Sequence, residues 1–198
     1  MKNVIQDIIV AFIFFFLGYV AAFMLPVGFI EEAIELEVTL EQLADQTVNL
    51  IADYNFEELS FMVHEEKGLT FSPYPYIQES DLNFSADEVS NLNGLDDVYT
   101  WGVQDGSGEP IELDFTSYYN DFIYDYDYAN NADSVTQNTV TSHGSMLNNI
   151  EEAYPKAEYI EYFVEGRDAE LGGLDWGSLT LVFEDQKLVG IVHGEWTT

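Results

Sequence analysis

Residues 158–196, EYIEYFVEGRDAELGGLDWGSLTLVFEDQKLVGIVHGEW, decide the fold. They contain three apolar runs rich in β-branched and aromatic residues, at 158–165, 178–184 and 188–196. Runs of that length and composition, bounded by Gly and Asp clusters, read as strands. Asp185-Gln186-Lys187 between the last two leaves room only for a tight hairpin, which makes those strands antiparallel neighbours. By strand alternation His193 shares a face with Ile191 and Glu195, and Trp196 shares the other with Val192.

Upstream the pattern changes to helices. Thr39 and Gln42 form a capping box, followed by Leu40, Leu43, Thr47, Leu50 and Tyr54 at helical spacing. A second box, Asn55 with Glu58, opens EELSFMV, and a third, Ser85 with Glu88, opens a short helix. Gly68, Pro73 and Pro75 interrupt the chain, with LTF (69–71) as a short strand before the prolines. YTWGVQ (99–104) and PIELDF (110–115) flank DGSGE as a hairpin. TSYYNDFIYDYDY (116–128) reads as a helix from about Ser117 with Tyr118, Phe122 and Tyr126 turned inward. A strand is expected around 135–140 and a helix over 146–154, ended by Pro155. The predicted fold class is α+β: 40–198 forms one domain, helices first and then a curved antiparallel sheet. That element order is similar to the NTF2-like cone fold, in which a bent sheet wraps a pocket closed by N-terminal helices.

The first thirty residues have a different character. Residues 8–30, IIVAFIFFFLGYVAAFMLPVGFI, carry no charge. As a helix rising 1.5 Å per residue they would reach about 35 Å, against about 30 Å of bilayer hydrocarbon. This predicts a transmembrane helix over 1–30, a short stalk over 31–39, and the domain beyond. Lys2 precedes the run and no Lys or Arg follows until Lys67. The positive-inside rule therefore puts the N-terminus in the cytoplasm and the domain outside a cell membrane crossed once. A cleaved signal peptide, with its apolar region at 8–17 and Val20-Ala21-Ala22 as the cleavage site, is the other reading. Both export the domain.

Charge narrows the partners. The net charge is −32, with 37 acidic residues against five Lys plus Arg. Lys2 and Asp7 are the only charged residues before Glu31, so the whole excess sits on the exported part. Such a surface repels phosphate backbones, which excludes nucleic acid. Dense carboxylates with few lysines suit a protein adapted to high external salt. No cysteine is present, so disulfides, thiolate metal sites and cysteine nucleophiles are all absent.

Three stretches, HEEKGLTFSPYPYI (64–77), TWGVQDGSGEPIELDFTSYYNDFIYD (100–125) and DWGSLTLVFEDQKLVGIVHGEWT (175–197), resemble a family of uncharacterised extracytoplasmic proteins of Gram-positive bacteria, many of lipoprotein type. The resemblance implies a bacterial cell-surface domain and no particular reaction. The chain departs from the lipoprotein form, lacking the acylated cysteine and carrying a spanning segment in its place.

Several constellations are candidates for chemistry. His193 with Glu195 could form a proton-transfer pair in a sheet pocket. His64 stands beside Glu65 and Glu66, but has no HExxH partner. Arg167, the only arginine, lies near Asp175 and Trp176, and with Trp101 and Trp196 could line a ligand pocket. Asp121, Asp125 and Asp127 suggest an irregular calcium site, without the glycine register of an EF-hand. Ser145 in HGSM lacks the G-x-S-x-G setting of a nucleophile. The first functional expectation is a membrane-anchored extracytoplasmic binding or accessory module for an unknown small ligand or envelope protein. The alternatives are an envelope hydrolase or isomerase using a His/carboxylate pair, and an acidic surface that recruits calcium or a basic partner.

Overall fold

The computed structural model describes residues 38–94, 96–141 and 147–196. The expected transmembrane run and its orientation, most of the stalk, and Ser145 lie outside the described residues. Among the described residues no helix is long and apolar enough to cross a membrane.

The chain begins with α1 (Leu40–Ala52), α2 (Phe56–Leu59) and a 3-10 turn at Ser60–Met62. The Thr39–Gln42 box forms in both directions, with Gln42 N donating to Thr39 Oγ1 at 3.3 Å and Thr39 N to Gln42 Oε1 at 3.0 Å. Helix α1 buries Ala44, Thr47, Val48 and Ile51. The expected stripe is thus rotated by about one residue: Leu40, Leu43, Leu50 and Tyr54 pack as half-buried shoulders. β1 (Leu69–Ser72) and β2 (Leu82–Phe84) follow, then α3 (Ala86–Val89), whose Ser85–Glu88 box also forms. β3 (Tyr99–Val103) and β4 (Pro110–Leu113) make the expected hairpin. α4 (Phe115–Phe122) starts two residues earlier than expected, because the Asp114 side chain caps it by accepting from Ser117 N at 2.7 Å. α5 (Tyr128–Asn131), β5 (Ser134–Gln137), α6 (Ile150–Ala153), β6 (Glu158–Val164), β7 (Gly177–Glu184) and β8 (Lys187–Glu195) complete the chain.

The six-stranded sheet has the order β2-β1-β8-β7-β6-β5. All neighbours are antiparallel except β1 and β8, which run parallel. The expectation of a wholly antiparallel sheet is corrected there. β1 belongs to the N-terminal half, and the long path from it to β8 allows the crossover that parallel pairing needs. The sheet is therefore mixed and the fold is α+β.

Each face of the sheet has its own cover. On the inner face Ile160, Tyr162, Val164, Leu179, Leu181, Phe183 and Ile191 pack against α1, α2, α4 and the β3–β4 hairpin in the main core. Phe71 sits among Phe84, Trp101, Phe115 and Tyr118, and Trp101 stacks on Tyr118 at 3.8 Å. On the outer face Tyr159, Val182, Val189 and Val192 join Ile150 in a smaller cluster. A bulge in β8, where Val182 pairs with Gly190 and Phe183 with Leu188, shifts the alternation by one. Both Leu188 and Ile191 thereby reach the inner core while Val189 reaches the outer one.

Candidate functional site

Strand β8 carries His193 onto the inner face, where it is fully buried. Three segments meet on it. Nδ1 lies 3.2 Å from the Pro73 carbonyl oxygen, Nε2 lies 3.3 Å from Asp125 Oδ2, and the Phe122 ring meets the imidazole edge-on at 5.6 Å. A carbonyl oxygen can only accept, so Nδ1 carries a proton. Nε2 faces a carboxylate in a charge contact off the line of a good hydrogen bond. Burial opposes the imidazolium, but Asp125, Glu195 and the Pro73 carbonyl outweigh it and raise the histidine above its ordinary value. Glu195 is also raised: burial is the main cause, with the Asp125 and Asp121 charges adding to it and His193 opposing it. The other Asp125 oxygen accepts from the Tyr128 hydroxyl at 2.7 Å.

The fold thus joins two candidates that the sequence kept apart, His193 from the proton-transfer pair and Asp125 from the calcium set. The arrangement holds the imidazole at both nitrogens against groups of the chain itself, in a face filled by the main core.

The other acids serve locally. Asp127 accepts from the Tyr124 hydroxyl at 2.8 Å and from Asn130 and Asn131, each at 2.9 Å. Asp121 is exposed on α4. Among the described residues no group of three or more His, Asp or Glu is placed to hold a metal ion. His64 closes the turn before β1: its Nδ1 accepts from Glu66 N at 3.2 Å and Lys67 N at 3.3 Å, and Gly68 takes the positive φ of 69° that the turn requires. Arg167 is exposed and pairs with Asp133 at 3.3 Å. Asp175 accepts from the backbone of Arg167 at 2.8 Å and of Asp168 at 2.9 Å, which ties the 166–175 loop. Trp101 is in the inner core, donating to the Leu113 carbonyl at 2.9 Å, whereas Trp176 packs on Phe163 at 5.8 Å. Trp196 is 40 % exposed. The residues expected to line one ligand pocket are thus spread over the inner core, a loop and the end of the last strand.

A cleft of about 660 Å³ opens instead on the outer side, floored by Thr70 of β1. One wall is 76–81, with Tyr76, Ile77, Gln78, Glu79 and Asp81; the other is 149–154, with Asn149, Glu152, Ala153 and Tyr154. Asn149 staples the walls, accepting from Ile77 N at 2.8 Å and donating to the Ile77 carbonyl at 2.9 Å. Tyr154 donates to the Val189 carbonyl at 3.3 Å. Asp81 is only 9 % exposed. Its Oδ2 accepts from Ser72 Oγ at 2.6 Å and Gln78 N at 2.9 Å, while Oδ1 is buried and has no hydrogen-bond partner among the described residues. Burial raises this carboxyl above its ordinary value despite those two hydrogen bonds. In the sequence Pro73 and Pro75 mark only an interruption of the chain. The signal that could have marked it was YPYIQESD, two aromatics followed by two acids within eight residues.

No family model, no curated protein and no solved structure matches this chain. What the fold and the cleft define is a class: a mixed-sheet α+β domain with a sealed inner face and an open outer one.

Proposed function

We propose that this chain is a membrane-anchored extracytoplasmic binding module, held by residues 8–30 and belonging with the surface proteins of Gram-positive bacteria that its three motif stretches resemble. The observation that carries the reading is the cleft between 76–81 and 149–154, with its polar and aromatic lining. Its volume of about 660 Å³ falls within the roughly 300–1,000 Å³ of small-molecule sites. Catalysis by His193 is the weaker reading, because the packed inner core closes around a ring already held at both nitrogens. Helices over one face of the mixed sheet support an NTF2-like arrangement, with the ligand on the face opposite the helices. The acidic excess supports solubility at high external salt.

Topology and binding are tested separately. The chain has no cysteine, so a Ser107→Cys variant in the exposed β3–β4 turn carries a single thiol. On intact cells a membrane-impermeant maleimide should label it in the membrane fraction; label appearing only after lysis rejects export. Ala153→Trp fills the cleft from an exposed helix position. It should fold normally yet fail to complement a deletion strain, and full complementation rejects the cleft as the working site.

A further inference from the structure

We infer that the open edge of β5 docks an extended segment of a basic partner protein, which joins the sheet as one further strand. This surface is separate from the cleft, and the inference stands whether or not the cleft binds a ligand. β5 ends the sheet on one side and pairs with β6 alone. The row of N–H and C=O groups on its free side is a template on which another chain can pair. Folded proteins usually guard such an edge with lysine or other charges, proline or a bulge. β5 has none of these: Ser134–Gln137 reads SVTQ, its register against β6 is unbroken, and Val135 is 53 % exposed. The whole run from 134 to 150 lacks Asp, Glu, Lys and Arg, in a chain with 37 acids. The opposite edge is protected. β2 is only three residues long, and β3 lies against it, with Phe84 meeting the rings of Tyr99 and Trp101 at 5.8 Å each.

The surroundings select the partner. Val135 stands opposite Tyr162, whose hydroxyl donates to Asp45 of α1 at 3.3 Å, so an exposed acid overlooks the strand from the helical side. Asp133 and Glu165 flank one end, the Asp133 carboxylate accepting from Glu165 N at 2.9 Å. Glu158 flanks the other, where Asn138 N donates to the Tyr159 carbonyl at 2.9 Å. The nearby bases are engaged: Arg167 pairs with Asp133, and Lys156 joins Lys67 in holding the Glu184 carboxyl low. An uncharged strand inside an acidic rim suits a segment with a neutral, alternating centre and Lys or Arg at its ends. A second copy of this chain would set a matching acidic rim against the first, and like charges resist that pairing. A strand of four residues spans only about 14 Å. The backbone ladder therefore supplies register, and the flanking charges supply much of the attraction.

The experiment is calorimetric titration of the full chain in detergent micelles at fixed ionic strength. The probes are three end-capped heptapeptides: Lys-Thr-Val-Thr-Val-Thr-Lys, the same peptide with proline at its centre, and the same peptide with glutamate at both ends. The lysine peptide should bind saturably, and the other two at least tenfold more weakly. Val135→Lys places a cation on the edge at an exposed position, and Asp45→Asn keeps an acceptor for Tyr162 without the charge. Each should weaken the lysine peptide several-fold with the thermal midpoint close to that of the wild type. Val135→Thr, neutral and equally suited to a strand, should bind as the wild type does. Equal binding of the lysine and proline peptides overturns the strand pairing and reduces the contact to charge alone. Binding unchanged in both Val135→Lys and Asp45→Asn moves the contact away from β5 and overturns the site. So does the absence of binding by any of the three peptides. Dimerisation of the chain in sedimentation, abolished by Val135→Lys, would assign the edge to a second copy and overturn the basic partner.

Discussion

The two faces of the central sheet solve burial differently. The inner face is closed by aromatic packing: Phe56, Phe71, Trp101, Phe115 and Tyr118 are fully buried and meet one another edge-on or stacked. The outer face is covered by a few residues around Ile150 and keeps buried polar groups, namely Ser72, Asp81, Glu161, Ser178 and Thr180. Strand β7 is buried along its whole length, although Ser178 and Thr180 alternate with Leu179 and Leu181. An alternating strand is thus no guarantee of a solvated face. A thin polar cover can bury it, and the gap in that cover is where the cleft lies.

The widest separation between the faces is expected on truncation. Phe71→Ala removes the ring at the centre of the aromatic cluster and should cost about 3–5 kcal/mol. Tyr154→Ala, on a half-buried cleft wall, should cost about 1 kcal/mol. Denaturant unfolding followed by tryptophan emission measures both. Equal costs would mean that the outer cover is as integral to the fold as the inner core.

His193 is the polar exception within the sealed face, and Asp125→Asn probes it. Removing the carboxylate leaves a buried imidazole facing an amide, at an expected cost of about 2 kcal/mol, below that of a fully buried pair because Asp125 retains solvent contact. The pH dependence has a definite sign. The folded value is raised, so the stabilisation is complete below the ordinary value of about 6.5 and is lost as pH climbs through the folded value. Besides Asp125, the charged neighbours setting it are Glu195 on the same strand and Asp121 acting on Glu195. The wild type should weaken from neutral toward alkaline pH and the variant should weaken less. Identical slopes would remove the ion pair from the account.

These two faces were not equally legible in the sequence. The strands, the β3–β4 hairpin and two of the capping boxes follow from local pattern, because each depends on residues a few positions apart. The parallel β1–β8 pair does not, because pairing across more than a hundred residues leaves no local trace. Nor does the edge strand β2, whose three residues are too short a run to show an alternation. His193 was identifiable as a candidate, but its partner was not: Asp125 lies in a run of alternating Asp and Tyr where every acid looks alike. The cleft is not legible in the sequence because its walls, 76–81 and 149–154, are unremarkable alone and come together only through the Asn149–Ile77 bonds.

On the outer face Glu161→Gln should stabilise. Glu161 is 1 % exposed. Its Oε2 accepts from Thr141 N at 2.6 Å, and among the described residues Oε1 has no hydrogen-bond partner. Burial raises its carboxyl, with hydrogen bonds from Thr141 and Ser178 opposing the shift. A raised folded value means that the favourable contribution is complete below the ordinary value of about 4.3 and is lost as pH rises through the folded value. Asp81 and Glu195 are shifted in the same direction. The wild-type domain should therefore gain stability on mild acidification from neutral pH. Further into acid, Glu88, Asp127, Asp133, Asp175 and Glu184, all lowered, lose their contributions. Glutamine keeps an acceptor for Thr141 without a charge to bury, and should raise neutral-pH stability by about 1 kcal/mol. A thermal melt at pH 5 and pH 7 checks it. A destabilised variant at both would show that the Glu161 charge has a countercharge in the outer cover.

The smallest expected effect lies at the β7–β8 turn, which belongs to neither face and so serves as a control on both. Asp185 and Gln186 take φ of 51° and 61°, the left-handed pair of a two-residue hairpin, with Glu184 and Lys187 already in register. Glutamine is strained there, by roughly 1 kcal/mol. Glycine adopts the conformation freely, yet has more freedom to lose on folding, by about 0.4–1 kcal/mol. Gln186→Gly should therefore stabilise by only about 0.5 kcal/mol, without changing the pH profile. Because β7 and β8 supply residues to both cores, a slip of one residue in this hairpin would exchange inner and outer side chains along both strands. A large loss on Gln186→Gly would mean that the turn, more than either face, sets the register of the sheet.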